Sequence, residues 1–326
     1  MSELTPEQVD RFASGFDRIA SNVETVIQGK REVVELVVLA LMAEGHVLIE
    51  DVPGVGKTQL AKSLARSIQS AFNRVQFTPD LLPSDVTGVS VWDRNSNEFE
   101  FKPGPIFANV VVGDEINRAS PKTQSALLEA MEERQVTSDG VTRALPLPFM
   151  VVATQNPLEH EGTYPLPEAQ LDRFMMRVVI GYPERQKELE ILDTHGIQST
   201  FVSLEPVASI EEIQQMIAIA RTVSVSQAVK TYIVDLVEGT RNHSDLLLGA
   251  SPRSALFLQR LSRARAASQG REYVMPDDIK ELAHPVLEHR MALRPEAQMR
   301  GESITTLIDE IIGRLRVPGT TSRIAT

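Results

Sequence analysis

The chain has 326 residues, a formal net charge of −11 and no cysteine. This length fits about two domains, and the lack of cysteine excludes disulfides and cysteine-bound zinc. Because phosphate contacts need clustered Lys and Arg, the acidic balance argues against bare nucleic acid as the main ligand. The start, MSELTPEQVDRF, has no apolar signal core, and the apolar stretch 33–43 is too short to span a bilayer, so we expect a cytoplasmic location.

The first part of the sequence alternates helical patterns with short apolar strands. In chain order these are helix 6–21, helix 30–44, strand 47–50, helix 58–70, strand 110–112, helix 121–133, strand 149–153 and strand 178–180. Such alternation predicts a parallel sheet with helices on both faces. We therefore expect an α/β domain over residues 1–183.

After Tyr182-Pro183 strand signals become scarce and helical periodicity dominates. The helical segments are 184–195, 209–220, 226–242, 252–269 and 276–289. They predict an all-α domain over residues 184–326. Its end is ambiguous, because 304–315 has helical periodicity while the tail after Pro318 looks loose.

Two stretches of the first domain are less regular. Residues 78–105 contain several short strand candidates, punctuated by Pro103-Gly104-Pro105. Residues 134–149 predict a hairpin, because Asp139-Gly140 is a strong two-residue turn signal.

Residues 51–58, DVPGVGKT, contain most of a phosphate-binding loop, G-x-x-x-x-G-K-[ST]. Glycines let backbone N–H groups turn toward phosphate, and the helix that follows points its positive end at the same place. Asp51 replaces the first glycine, so we expect a reshaped entrance and an intact cradle. A chance glycine turn is the alternative, but the strand–loop–helix context argues against it. The candidate nucleotide contacts are Pro53, Gly54, Val55, Gly56, Lys57, Thr58 and Gln59.

A phosphate loop needs an acidic partner on a neighbouring strand, and VVVGDE at 110–115 fits this need. The β-branched run predicts a buried strand that delivers two carboxylates to the ligand edge of the sheet. We expect Asp114, with the Thr58 hydroxyl, to hold Mg²⁺ and Glu115 to activate the attacking water. A solvated Asp-Glu pair is the alternative. Asn156 follows another strand and is predicted to position the water or contact the γ-phosphate, although a turn residue is the alternative there.

Four segments together resemble the MoxR-type AAA+ ATPases: EDVPGVGKT, GDEINRASPKTQSALLEAMEE, ATQNPLEHEGTYPLPEAQLDRF and GASPR. The resemblance covers about residues 20–290, and the two long segments separate this family from the magnesium-chelatase ATPase subunit and the MCM-type helicases. It implies a P-loop AAA+ sheet domain followed by a helical lid, with ATP and Mg²⁺ as ligands. Aspartate before Val-Pro-Gly is ordinary in this family, so the loop is expected to be competent.

The resemblance also implies catalytic roles by position. Lys57 and Thr58 match Walker A, Asp114 and Glu115 match Walker B, and Asn156 matches sensor 1. These are the positions that the phosphate-loop reading also selects.

Further roles depend on the resemblance alone. Arg253 matches sensor 2 and is expected to couple the lid to the γ-phosphate. Arg173 matches the arginine finger and is expected to reach a neighbouring subunit's nucleotide, whereas surface salt bridges are the alternative for both. Val26 and Ile27 resemble the stretch that lines the adenine pocket, and Arg118 receives no role.

The function implied is a chaperone-like remodelling ATPase that matures protein complexes or inserts metal cofactors. A hexameric ring, ATP bound between the two domains and a partner with a von Willebrand A domain are expected with it. Residues 78–105 resemble a helix-2 insert and 134–149 a pre-sensor-1 hairpin, which face a pore or client. The alternatives are a nucleotide-gated scaffold with little hydrolysis and a magnesium-chelatase-like or MCM-like motor.

Overall fold

The computed structural model of the chain describes residues 4–157, 162–189 and 204–318. Its strands within these ranges are β1 (Val47–Glu50), β2 (Phe72–Gln76), β3 (Gly88–Asp93), β4 (Glu98–Pro103), β5 (Val110–Asp114), β6 (Gln135–Ser138), β7 (Val141–Ala144), β8 (Met150–Gln155), β9 (Met176–Val178), β10 (Leu246–Leu248) and β11 (Ala292–Leu293). The first part of the chain contributes helices α1 (Pro6–Glu24), α2 (Arg31–Met42), α3 (Lys57–Ser67), α4 (Pro83–Thr87), α5 (Pro121–Glu133) and α6 (Glu168–Leu171).

The lid contributes helices α7 (Ile210–Thr222), α8 (Gln227–Arg241), α9 (Pro252–Ser268), α10 (Pro276–Leu287), α11 (Pro295–Met299) and α12 (Ile304–Arg314). Serine side chains cap three of them, because Ser209, Ser226 and Ser303 each accept a backbone N–H of the first turn. Residues 185–189 are also helical, and the rest of the helix expected at 184–195 lies outside the described residues.

Five parallel strands form the central sheet, in the order β2-β5-β8-β1-β9. Their central members are buried on both faces, as residues 110–112 and 150–153 show, so the β-branched runs fit a sheet covered on both sides. Because the strands are parallel, all their carboxyl ends meet at one edge of the sheet, called here the carboxyl edge. The opposite edge is called the amino edge.

Alternate residues of the strands supply two apolar cores. Val47 and Ile49 pack with α1, α2, α3 and the lid helices, while Leu48 and Val111 pack with α5 on the other face. The lid shares the first core, since α9 packs against α1, α2 and α7. The predicted α/β sheet with a following helical lid is confirmed.

Two antiparallel hairpins project from the sheet domain. β3 pairs with β4, and β6 pairs with β7 across the Asp139-Gly140 turn. The hairpins contact each other, because the Arg143 guanidinium lies 3.8 Å from the centroid of the Phe101 ring. Phe99, at the outer side of the first hairpin, is 71% exposed.

Candidate functional site

The phosphate loop lies at the carboxyl edge, between β1 and α3. Gly54 has φ +87° and Gly56 has φ +93°, a left-handed conformation that favours glycine. Lys57 opens α3, and its Nζ donates to the carbonyl oxygen of Asp51 at 2.6 Å. Ile27 borders the loop, because its Cδ1 lies 3.7 Å from where a Cβ on Gly56 would stand.

Asp51, which replaces the first glycine of the motif, ties the loop to β9. One carboxylate oxygen accepts the N–H groups of Ile180 and Gly181 at 2.7 and 2.6 Å, and the other accepts the N–H of Val52 at 2.8 Å. These bonds take Ile180 out of the β ladder, so β9 ends at Val178 and not at residue 180 as predicted. Asp51 therefore anchors the loop entrance to the segment after β9, while Gly54 and Gly56 keep their left-handed conformation.

Asp114 ends β5 opposite the start of α3. The Thr58 hydroxyl lies 3.1 Å from its Oδ2, and Thr154 on β8 donates to Oδ1 at 3.2 Å. Arg74 on β2 also reaches this carboxylate, with Nε 2.6 Å from Oδ2. The side chain of Asp114 is only 8% exposed, so these contacts replace most of its water.

Glu115 follows in a left-handed conformation with φ +57°, which is uncommon for a residue with a side chain. Its N–H donates to Thr154 Oγ1 at 3.0 Å. Gln76 Nε2 and Arg118 Nη1 both donate to its Oε2 at 2.9 Å. The carboxylate is therefore held between β2 and the short 3₁₀ turn after β5.

The remaining predicted contacts lie around the same edge. Asn156 is buried directly after β8, one residue beyond the pair formed by Gln155 and Glu50. Val26 is partly buried at the end of α1, next to Ile27.

This carboxyl edge fits a nucleotide with its metal. Two glycines in left-handed conformations precede an 11-residue helix, and the N-terminal end of a helix favours phosphate. The hydroxyl of Thr58 and the carboxylate of Asp114 are oxygen ligands of the kind that Mg²⁺ prefers. Among the described residues no group of three or more His, Cys, Asp and Glu offers a separate metal site.

Arg173 and Arg253 lie at the amino edge, together. Arg173 Nε is 3.2 Å from Glu132 Oε2, and Arg253 bonds to the other oxygen of the same carboxylate. They line a cleft of about 230 Å³ beside His46, which precedes β1. The phosphate loop follows β1, and a four-residue strand spans roughly 13 Å. Arg253 thus lies away from the phosphate loop of its own chain, and the expectation that it couples the lid to the γ-phosphate stays a prediction.

Arg253 lies beside Arg173 because two segments that are far apart in the sequence contact each other. Ser251 Oγ donates to Asp172, both oxygens lying at 2.9 Å, and so fixes the start of α9 beside the turn that carries Arg173. Arg290 is buried against the same carboxylate, with Nε 2.9 Å from Asp172. Burial lowers the pKa of Arg290 to about 10, so the group stays charged at neutral pH.

Some of these partners were missed by sequence reasoning. They are Arg74, Gln76, Thr154, Glu132 and Arg290. The strand alternation of β2 places Arg74 and Gln76 on one face, but only the register that pairs Gln76 with Asp114 reveals what they meet.

The comparisons with known proteins agree with this geometry. Residues 46–176 match the ATPase family associated with various cellular activities (AAA), and residues 238–311 match the AAA lid domain. The protein YeaC of Bacillus subtilis is 50% identical over 92% of this chain and 94% of its own length. Chaperone MoxR1 of Mycobacterium tuberculosis is 39% identical over 93% of this chain and 82% of its own.

A crystal structure of a Cytophaga hutchinsonii protein designated an ATPase has a TM-score of 0.89 with this structure and 37% sequence identity, covering 95% of this chain and 97% of that one. No helix in the described ranges is long and apolar enough to cross a membrane. With the phosphate loop, the acidic strand end and the lid in place, the chain belongs to the MoxR-type AAA ATPases, enzymes that hydrolyse ATP.

Proposed function

We propose that the protein works as a ring-shaped, chaperone-like motor that spends ATP to remodel a protein client. The observation that carries this proposal is the division of the candidate site between two opposite edges of one sheet. Lys57 and Asp114 lie at the carboxyl edge, whereas Arg173 and Arg253 share Glu132 at the amino edge. A single chain does not bring these groups together.

A head-to-tail assembly would do so. When the amino edge of one subunit meets the carboxyl edge of the next, the contact is heterologous and closes into a ring if the rotation allows. We propose a hexamer, in which Arg173 and Arg253 face the neighbour's nucleotide. An arginine supplied in this way is worth about 10³–10⁵ in rate in other NTPases.

Within one carboxyl edge the proposed roles follow from the contacts. The loop N–H groups and Lys57 hold the phosphates, and Val26 and Ile27 border the base. Thr58 and Asp114 would hold Mg²⁺, which neutralises phosphate charge when bound. Glu115 accepts a proton from the attacking water, and Asn156 orients that water.

The pairing of both carboxylates also supports a gated cycle. Asp114 is bonded to Arg74, and Glu115 is bonded to Gln76 and Arg118. Glu115 must leave these partners before it can accept a proton. We therefore propose that hydrolysis is slow without a client. Little hydrolysis was also a feature of the alternative function, a nucleotide-gated scaffold.

The client and partner are proposed on family grounds. Chaperone MoxR1 bears that name among the relatives, and we propose maturation of protein complexes or metal cofactor insertion, with a von Willebrand A domain protein as partner. The two connected hairpins, whose outer side exposes Trp92 and Phe99, are the proposed client contact.

The test is the ATPase rate per subunit as a function of protein concentration, with Arg173→Ala beside the wild type. We expect specific activity to rise with concentration, and the variant to bind ATP but lose at least about 10³ in rate. Arg94→Ala, in the exposed turn between β3 and β4, is the matched control. A rate that is independent of concentration, or an active Arg173→Ala enzyme, would contradict the shared site.

A further inference from the structure

A second cleft lies at the amino edge, next to the one that contains Arg173 and Arg253. It encloses about 600 Å³, within the range of small-molecule sites. Its walls are the C-terminal ends of α2, α5 and α7 and one face of α9. We call it the arginine cleft, after its lining residues Arg134, Arg221, Arg260 and Arg263.

Two of these four arginines are matched by an acid. Arg134 is 2.8 Å from one oxygen of Glu44, and Arg221 bonds to the other oxygen. The remaining glutamate of the wall, Glu132, is already bonded to Arg173 and Arg253. Within the described ranges, neither Arg260 nor Arg263 has an acidic partner.

The lack of an acidic partner has its clearest effect at Arg263. Its Nε is buried and finds no hydrogen-bond acceptor among the described residues. Burial alone lowers the pKa of Arg263, so this partly buried guanidinium loses some of its water without gaining an anion among the described residues. Buried charged groups are ordinarily paired, which makes this group a candidate for an anion that binds from outside.

The helix ends in the cleft do not account for these charges. A helix C-terminus carries about −0.5 charge, so cations stabilise it. This explains the positions of Arg134 and Arg221, which lie at the ends of α5 and α7. Arg260 and Arg263 lie within α9. The two adjoining clefts together hold six arginines and two glutamates, so a positive balance remains after the three helix ends are counted.

The spacing indicates an extended anion. Arg253 and Arg260 are seven residues apart on α9, roughly 10 Å along the helix, and Arg263 follows less than one turn later. A single carboxylate has two oxygens and serves two such groups, as Glu44 does, whereas a chain of phosphates offers oxygens to more guanidinium groups.

We propose that the arginine cleft binds a polyphosphate anion, with Arg260 and Arg263 as its phosphate contacts. The phosphates can belong to a free anion that binds one chain. They can also belong to the nucleotide of a neighbouring subunit, and this second source rests on the proposed function. Both use the same chemistry, and the experiment separates them.

The experiment measures binding of inorganic tripolyphosphate by calorimetry to a Lys57→Ala chain, in which the phosphate loop is disabled. Arg260→Gln with Arg263→Gln is compared with Arg314→Gln with Arg316→Gln, which removes two exposed charges outside the cleft. We expect at least tenfold weaker binding in the cleft variant and no change in the control. That result assigns the site to the single chain, whether or not the ATPase proposal holds.

A different result assigns the neighbour's nucleotide as the source. The Lys57→Ala chain would not bind tripolyphosphate, but the cleft variant with Lys57 intact would raise the KM for ATP at least fivefold. If tripolyphosphate binding and KM both match the control, the proposal is wrong. Arg260→Gln alone, at an exposed position, keeps the test decisive if the double variant does not fold.

Discussion

The carboxyl edge and the amino edge of the sheet differ in how their charged side chains are paired. At the carboxyl edge the acids Asp114 and Glu115 are held by cations of the same chain, Arg74 and Arg118. At the amino edge the arginines outnumber the acids, and two of them share Glu132. In the proposed cycle, the carboxyl edge exchanges these cations for a metal and nucleotide, and the amino edge receives an anion from outside the chain. This difference supports the proposal that a complete site needs two chains.

The largest effect is expected when one edge is damaged in each of two chains. Glu115→Gln should lose about 10²–10⁴ in ATPase rate, and Arg173→Ala should lose at least about 10³. Mixed in equal amounts they should recover about a quarter of the wild-type rate, because in random rings about one interface in four combines an intact carboxyl edge with an intact amino edge. ATPase rates of the mixture and of each variant alone check this.

No recovery on mixing would mean that Arg173 serves its own chain or that the chains do not exchange. Labelling the two variants with a donor and an acceptor fluorophore distinguishes these cases, since energy transfer between the labels appears only if the chains exchange.

The second prediction concerns the attachment of the phosphate loop to β9. Asp51→Gly restores the glycine of the general motif but removes the acceptor of three N–H groups. We expect a loss of about 2–4 kcal/mol in unfolding free energy and faster amide exchange at Ile180 and Gly181. Denaturant unfolding and hydrogen exchange measure both.

ATP binding should survive in Asp51→Gly, because Gly54 and Gly56 are unchanged. Asp51→Asn, which keeps one acceptor oxygen, is the matched control and should lose about half as much stability. A stable Asp51→Gly protein that no longer binds ATP would mean that Asp51 acts on the nucleotide.

Much of the carboxyl edge could be predicted from sequence, because its signals are local. A β-branched run followed by Asp114-Glu115 and a glycine loop before Lys57 each combine a strand with its ligand group in a few residues. Parallel pairing then brings them to one edge. These are the positions where local pattern and resemblance coincided.

The amino edge could not be predicted in this way, because its contacts join residues far apart in the chain. Nothing near Arg253 indicates that Ser251 meets Asp172, 79 positions away, or that Glu132 receives two arginines. Likewise Arg74 is an ordinary strand residue until the β2–β5 register brings it to Asp114. Such contacts depend on how α9 packs, which periodicity alone does not determine.

The third prediction uses a titratable group at the amino edge. His46 is buried, with Nε2 3.0 Å from the Met131 carbonyl oxygen and Nδ1 accepting the N–H of Val151 at 2.9 Å. Burial lowers the pKa of His46 to about 4 from 6.5. The folded chain thus binds fewer protons than the unfolded chain, and stability falls as the pH drops from about 6.5 toward 4.

At pH 5.5 this loss should be about 1.4 kcal/mol relative to pH 7.5. His46→Gln should lower stability at pH 7.5 and remove that part of the pH dependence. Urea unfolding of both proteins at the two pH values checks it. Part of the dependence should remain, because burial also lowers the pKa of His289. Equal pH dependence in both proteins would show that His46 does not contribute.

The smallest expected effect concerns Arg74 at the carboxyl edge. Arg74 and the proposed Mg²⁺ compete for Asp114, so Arg74→Ala should lower the Mg²⁺ concentration for half-maximal ATPase. We expect about three- to fivefold, since Arg74 is 54% exposed and exposed pairs are weak, about 0.2–1 kcal/mol. Arg118, which pairs with Glu115, provides the matched variant.

Arg118→Ala should alter the rate but leave the Mg²⁺ midpoint unchanged, because Glu115 is not a proposed metal ligand. If Arg74→Ala instead raises the midpoint, Arg74 positions Asp114 for the metal and does not compete with it. The cations of the carboxyl edge would then support the metal directly. The two edges would then differ in geometry alone, and the replacement of Arg74 by Mg²⁺ would no longer distinguish them.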